Sequence, residues 1–170
     1  MNIPSSIVKT VNQNASPMDN IYFNHAVSSL KALSKVTAET YCYDYMSNII
    51  NTLERLYKGF LATAIKECDW YVLPSENFLC ADHDILGVVL EIKENFPDVF
   101  PRVEREVWRE TKQFLKDLRR EYTNARYETY PTFEEFKMVR DYVVGQYELL
   151  ADYINNKLEL TNDKELEIDY

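Results

Sequence analysis

Residues 41–68, YCYDYMSNIINTLERLYKGFLATAIKEC, decide the fold of this chain. Apolar residues recur in this stretch every three or four positions, at Tyr41, Tyr45, Ile49, Leu53, Leu56, Phe60, Ala64 and Cys68. That period places their side chains on one face of an α-helix. We predict a helix that starts at Thr37 or Thr40 and ends near Trp70. It would be about 45 Å long at roughly 1.5 Å per residue, long enough to set the axis of a bundle.

Four further helices are predicted, over residues 18–36, 82–95, 102–122 and 132–158. Asp82 can cap the second of these, and Thr132 with Glu135 forms a capping-box pattern at the start of the last. Their predicted inward positions are Ile21, Ala26, Leu30 and Leu33; Ile85, Val88, Val89 and Ile92; Val103, Val107, Phe114, Leu118 and Tyr122; and Phe136, Val139, Val143, Tyr147, Leu150 and Ile154. The sequence therefore predicts an all-α fold, an up-and-down bundle of about five helices with one long central helix.

The composition agrees with a single helical domain. The chain has 170 residues, 46% of them hydrophobic, and only 3 glycines, too few for the tight turns of an all-β fold. We expect residues 1–17, which are polar, to form a flexible arm, residues 18–158 to form the helical domain, and residues 159–170 to form an acidic tail.

Charge and cysteine content limit the classes of function. A net charge of −9 does not fit a general nucleic-acid-binding protein. The three cysteines, Cys42, Cys68 and Cys80, match no metal spacing and suggest reduced thiols in the cytoplasm. We see no signal peptide and no transmembrane segment, so no membrane association is expected.

A stripe of basic residues runs along the fourth predicted helix. Its members are Arg102, Arg105, Arg109, Lys112, Lys116 and Arg119, at spacings of 3, 4, 3, 4 and 3. In contrast, residues 67–100 hold eight acidic residues and Lys93 as the one Lys or Arg. The stripe has two interpretations: a solvated face on which Glu106 and Glu110 pair locally, or a surface that meets nucleic acid or the acidic segment of a second subunit.

Three segments resemble the HEPN domain family. LERLYKGFL at residues 53–61 resembles the "aEKxxKAxL" segment in the long helix of these domains. HDIL at residues 83–86 resembles the "HDL" that starts the next helix, and Arg126-Tyr127 followed by Tyr130-Pro131 resembles the "RYP" turn before the closing helix. Their order and approximate spacing match the family over residues 18–158.

The resemblance implies a dimeric bundle in a toxin–antitoxin, RNA-processing or nucleotide-handling context. It implies a nucleotidyltransferase or antitoxin as partner, or a nucleotide or RNA as ligand, and it assigns Lys58, His83, Asp84 and Arg126 to a binding site. Ribonuclease members carry an Arg a few residues before the motif His, but residues 67–82 contain no Arg or Lys. We therefore expect an interaction module without fast catalysis. The alternative is a metal-independent endoribonuclease that uses His83 with Arg126.

Each of these residues also has a structural interpretation. Asp82 or Asp84 can cap a helix, and Glu54 with Lys58 can form a solvated ion pair. We expect neither a metal ion nor a cofactor, because His25 and His83 lack ligand spacing. The functional interpretation predicts that His83 lies beside a cleft of the long helix, within about 15 Å of Lys58 or Arg126. The Tyr- and Phe-rich helices predict a homodimer.

Overall fold

The computed structural model describes residues 21–80, 84–127 and 130–158, and it describes no side chain between 121 and 129. The five α-helices of these ranges are α1 (Ile21–Leu33), α2 (Asp44–Glu67), α3 (Ile85–Asn95), α4 (Arg105–Tyr127) and α5 (Phe133–Asn156). Short 3-10 helices flank α3 at Phe78–Cys80 and Pro97–Val99. The described residues contain no β-strand, which confirms the predicted all-α bundle. The predicted arm 1–17 and tail 159–170 lie outside them.

Helix α2 is the central helix, because it packs against all four other α-helices. Its predicted face is confirmed from Ile49 to Cys68, since Ile49, Leu53, Leu56, Phe60, Ala64 and Cys68 are fully buried. The helix is shorter than predicted, at 24 residues. Its predicted start is wrong because Thr37 and Thr40 form a turn, in which the Thr37 N–H donates to Thr40 Oγ1 over 2.9 Å.

Helix α1 lies unusually close to α2 at Gly59. A Cβ atom at this position would come within 2.8 Å of Phe23 Cδ2 and 3.2 Å of the Phe23 backbone nitrogen. Because Gly59 has no side chain, the Phe23 ring can pack against α2 in the core. The predicted α1 stripe is confirmed at Ala26, Leu30 and Leu33, but Ile21 is 65% exposed and Phe23 is buried in its stead.

Aromatic rings define the two ends of the bundle. Phe60, late in α2, contacts Tyr153, late in α5, with ring centroids 5.7 Å apart. At the other end Tyr41, just before α2, contacts Phe136 at the start of α5, at 5.3 Å. Helices α2 and α5 therefore run in the same direction. Since Phe23 meets Gly59, α1 runs against both.

A buried arginine joins the end of α1 to the start of α5. Arg140 is 2% exposed, and its Nη1 donates to the carbonyl oxygens of Leu33 at 3.0 Å and Val36 at 2.8 Å. Its guanidinium carbon lies 5.2 Å from the centroid of the Phe136 ring. A cation at the carboxyl end of α1 also complements the helix dipole. Charge patterning gave no sign that this arginine would be buried.

Helix α4 differs from its prediction in phase, whereas α5 follows its prediction closely. Since α4 begins at Arg105, Val103 lies before it and is 46% exposed. Val107 is 45% exposed, and Leu115 and Leu118 are the buried residues of its described part.

The capping box of α5 is confirmed: the Glu135 N–H donates to Thr132 Oγ1, and the Thr132 N–H donates to Glu135 Oε2. All six predicted inward residues of α5 are buried.

Candidate anion-binding site

The residues of the HEPN-like segment in α2 form a buried ion pair. Lys58 Nζ lies 2.6 Å from Glu54 Oε1, and the two side chains are only 9% and 6% exposed. The interpretation of this pair as solvated is therefore wrong. Burial of two charges costs several kcal/mol per ion before their attraction is counted. Removal of either side chain would therefore leave the other charge buried without this partner and destabilise the fold.

The carboxylate of Asp84 caps α3. It accepts the backbone N–H of Gly87 at 3.0 Å. A Cβ atom at Gly87 would collide with this carboxylate, so glycine leaves room for the cap. The capping interpretation of Asp84 is confirmed, and its proposed contact with a ligand stays a prediction. Asp82 and His83 lie outside the described residues.

The predicted cleft that joins His83, Lys58 and Arg126 stays a prediction. His83 lies outside the described residues. The backbone of Arg126 belongs to the last turn of α4, but its side chain is not described. Lys58 is present on α2, buried and paired with Glu54.

The basic stripe follows one flank of α4. Arg105, Arg109, Lys116 and Arg119 are exposed on the helix, and Lys112 is half-buried. Arg102 is also exposed but lies before the first turn, so its predicted place in the helix is wrong. Arg109 Nη2 lies 2.8 Å from Glu106 Oε1, and both side chains are more than 70% exposed. This local pair supports the solvated-face interpretation for Arg109, although an exposed pair contributes little stability.

The Trp108 ring contacts cations from two helices. Lys93 on α3 places its Nζ 3.9 Å from the centroid of the Trp108 ring, and Lys112 Nζ lies 5.8 Å from it. Both ammonium groups are within reach of the ring quadrupole. A hollow of about 510 Å³ beside the ring is lined by Arg105, Glu106, Trp108, Arg109 and Lys112. We call Trp108, Lys93, Arg105, Arg109 and Lys112 the cationic site.

Lys93 and Trp108 were not predicted as members of this site. Lys93 was visible as a lone base in an acidic stretch, and Trp108 stands between Arg105 and Lys112 at helical spacing. Their contact joins residues on different helices, so no pattern within one helix could reveal it. The cationic site differs from the predicted one because its centre is an aromatic ring at the start of α4.

Two tyrosines, Tyr57 and Tyr142, lie behind the hollow that Lys93 and Trp108 line. The Tyr57 hydroxyl donates to Gln146 Oε1 at 2.8 Å. Burial raises the pKa of the Tyr57 hydroxyl well above its usual value and raises the pKa of Tyr142 as well. These phenols stay protonated near neutral pH, so they act as neutral hydrogen-bonding groups behind the surface.

The chemistry offered by the cationic site is the binding of carboxylate or phosphate groups. Its groups are permanent cations around a ring, with no described carboxylate buried among them that could act as a base. No group of three or more His, Cys, Asp or Glu side chains suited to a metal ion occurs within residues 21–80, 84–127 and 130–158. None of the helices in these ranges is long and apolar enough to cross a membrane.

Comparison of the chain with protein-family models, with curated proteins and with solved structures found no significant match.

Proposed function

We propose that this chain is a HEPN-like interaction module that forms a homodimer and binds an anionic partner through the cationic site. The observation that supports this most strongly is that Lys93 from α3 and Lys112 from α4 both lie against the Trp108 ring, while Arg105, Arg109 and Lys112 line the hollow beside it. This concentration of positive charge occurs in a chain whose net charge is −9. The three HEPN-like segments occur along the sequence in the order of that family, and the fold is a helical bundle. Both features support such a module.

The ion pairing around Trp108 leaves most of its cations available. Among the described residues, Glu106 pairs with Arg109, whereas Lys93, Arg105 and Lys112 have no carboxylate within 4.0 Å. Holding like charges close together is unfavourable unless an anion neutralises them. An anionic partner would therefore gain attraction from several cations at once, and salt would weaken its binding.

The geometry favours an acidic protein surface as the partner. Lys93 already covers one face of the Trp108 ring at 3.9 Å, so a nucleic-acid base cannot stack on that face. Carboxylates need no stacking surface. The proposed partner is therefore a protein with exposed Asp and Glu, for which a nucleotidyltransferase or an antitoxin is the candidate that the HEPN resemblance supplies. RNA phosphates offer similar charge and serve as the comparison in the test.

Reversing two charges of the cationic site should weaken binding. In the double variant Arg105→Glu, Arg109→Glu, the affinity for a fluorescent poly-glutamate peptide is expected to fall at least about tenfold at low salt, since each exposed contact is worth up to about 1 kcal/mol and each new glutamate adds repulsion. Fluorescence anisotropy measures this, with a single-stranded RNA of similar charge as the second probe. The matched control Lys31→Glu, Lys35→Glu changes the same charge at exposed positions around the end of α1.

Equal losses in the control and in the cationic-site variant would contradict this function, because they would show a general charge effect. Stronger binding of the RNA than of poly-glutamate would replace the acidic protein by a nucleic acid as the partner. Light scattering on the unchanged chain at high micromolar concentration tests the homodimer, and a monomeric mass would remove that part of the proposal.

A second candidate function is the metal-independent endoribonuclease with His83 and Arg126. The observation beside it is that Lys58, which the HEPN resemblance assigns to the site of His83, is held in a buried ion pair with Glu54 on α2. A labelled single-stranded RNA should then be cleaved by the chain in the presence of a chelator. His83→Ala should reduce the rate by about 100-fold or more, as expected for loss of a general acid or base. His25→Ala is the control, and cleavage that survives in His83→Ala would exclude this candidate.

A further inference from the structure

Helices α4 and α5 leave a groove between them. They run in opposite directions, because Trp108 and Leu149 line one hollow while Leu118 and Glu135 line another. In the described residues their backbones stay more than 8 Å apart over nearly all of their length. The rings of Phe114 and Tyr142 meet across the seam, with centroids 4.9 Å apart. Leu118 and Val139, which are both buried, line one of the hollows along it.

The groove consists of three consecutive hollows of about 130, 300 and 240 Å³. The first two share Thr111 and Tyr142, and the second and third share Phe114 and Met138. Its surface is apolar, and Met138 at 60% exposure lies at its middle. Val103, which is 46% exposed, lines the first hollow. Apolar side chains that are continuous along a seam are typical of surfaces that receive a partner.

The three glycines of the chain distinguish this groove from the packed interior. A Cβ atom at Gly59 would collide with Phe23, and one at Gly87 would collide with the Asp84 carboxylate. At Gly145, in the middle of α5, a Cβ atom would meet nothing within 4 Å. Glycine inside a helix costs about 1 kcal/mol relative to alanine. No described neighbour of Gly145 accounts for that cost.

Gly145 lies on the side of α5 that faces the groove. It follows Tyr142 by three residues and precedes Leu149 by four, and both of these line the first hollow. A helix without a side chain at this point allows another backbone to approach closely, as glycine does at packed helix contacts. The glycine and the groove thus indicate a helix as the occupant.

The charges beside the groove indicate what kind of helix fits. On α4 its lining is mixed: Glu110 is acidic, whereas Asp117 lies 3.7 Å from Arg120, and Lys93 lines the first hollow. On α5 the exposed residues that follow the edge next to the groove at helical spacing are all acidic, namely Glu134, Glu148 and Asp152. A helix with basic residues on the side of its apolar stripe that meets this α5 edge would be attracted.

We propose that the α4–α5 groove binds an amphipathic helix of a partner protein, with an apolar stripe and a basic flank along the acidic edge of α5. The length of the groove, from Leu149 to Glu135 on α5, corresponds to about 14 residues of helix, or roughly 21 Å. Its first hollow shares Lys93 and Trp108 with the cationic site. The positions tested below, Met138 and Gly145, lie on α5 outside the cationic site, so this inference and the proposed function can fail independently.

The test uses the full chain and a synthetic helical peptide of about 18 residues, long enough to fill the groove. The peptide carries leucine at the a and d positions of its heptads and lysine at the flanking e and g positions. A second peptide carries glutamate in place of lysine. Binding to the labelled peptides is measured by fluorescence anisotropy, and light scattering records the mass of each complex.

Two variants probe the groove without touching the core. Gly145→Gln adds neutral bulk where the chain itself has open space, and Met138→Lys adds a repelling charge at an exposed position. Each is expected to weaken binding of the lysine peptide about 30-fold or more, the effect of a residue central to an interface. Val72→Lys makes the same change as Met138→Lys at a 77% exposed apolar residue outside the groove, and should leave binding nearly unchanged.

Three results would overturn the inference. Binding of the lysine peptide that is unchanged in Gly145→Gln and Met138→Lys would place the peptide elsewhere. Equal binding of the glutamate peptide would show that the acidic edges do not select the partner. A dimer of the unchanged chain that becomes monomeric in Gly145→Gln would make a second copy the occupant. Circular dichroism of each variant confirms that the loss is not a loss of fold.

Discussion

Replacement of Phe60 by alanine is expected to lower the free energy of unfolding by about 3–5 kcal/mol. The Phe60 side chain, in the later part of α2, is fully buried. Its ring makes edge contacts with Phe96 at 5.3 Å and Tyr153 at 5.7 Å, so it joins three parts of the chain. Truncation would remove these contacts and leave a cavity that the rigid aromatic neighbours cannot fill. Urea unfolding followed by circular dichroism measures the change.

The control for this variant is Ile65→Ala on the same helix. Ile65 is 38% exposed, so its truncation removes less buried surface and should cost about 1 kcal/mol or less. If Phe60→Ala cost no more than Ile65→Ala, the face that α2 presents to the bundle would be assigned wrongly.

Replacement of Arg140 by methionine is expected to destabilise the chain by about 2–4 kcal/mol. Two charge-assisted hydrogen bonds to the carbonyl oxygens of Leu33 and Val36 would be lost, and each is worth about 1.5–3 kcal/mol. Relief from burying the guanidinium offsets part of this loss. Methionine keeps most of the aliphatic volume, so the measured difference reports mainly on the polar contacts. Thermal and urea unfolding together give the free energy.

The matched control is Lys137→Met, one turn earlier on α5 and exposed. It removes the same charge and adds the same side chain, and it should change the free energy of unfolding by less than about 0.5 kcal/mol. A stability of Arg140→Met equal to that of the control would mean that the carbonyl groups at the end of α1 are satisfied by water.

Periodicity was sufficient to predict the elements that bury one continuous face. The face of α2 from Ile49 to Cys68 and the inward residues of α5 agree with the structure because both follow the helical period. The ends were harder to predict. Thr37 and Thr40 are residue types that suit a helix start, but their side chains close a separate turn. At α5 the opposite held, since the Thr132 capping box marked the first turn correctly.

Buried charge was beyond sequence reasoning. Lys and Arg are rarely fully buried, so Arg140 and the Lys58–Glu54 pair gave no signal that set them apart from surface residues. The cationic site was half predicted. The stripe of α4 was visible as a spacing, whereas the approach of Lys93 to Trp108 depends on how α3 packs against α4. The proposed contribution of His83 and Arg126 rests on the family resemblance.

The link from Arg140 to the end of α1 also bears on the order in which the chain can fold. Its hydrogen bonds join residues separated by 107 and 104 positions. Closing a loop of that size costs roughly 4 kcal/mol of chain entropy. The hairpin of α1 and α2 can form from neighbouring residues, and the Leu33 oxygen accepts the Val36 N–H at 3.3 Å there, but the hydrogen bonds from Arg140 must wait for α5. During synthesis at about 5–20 residues per second, that wait is on the order of 5–20 s. Until α5 has been made, water can hydrogen-bond to the carbonyl groups that Arg140 later contacts.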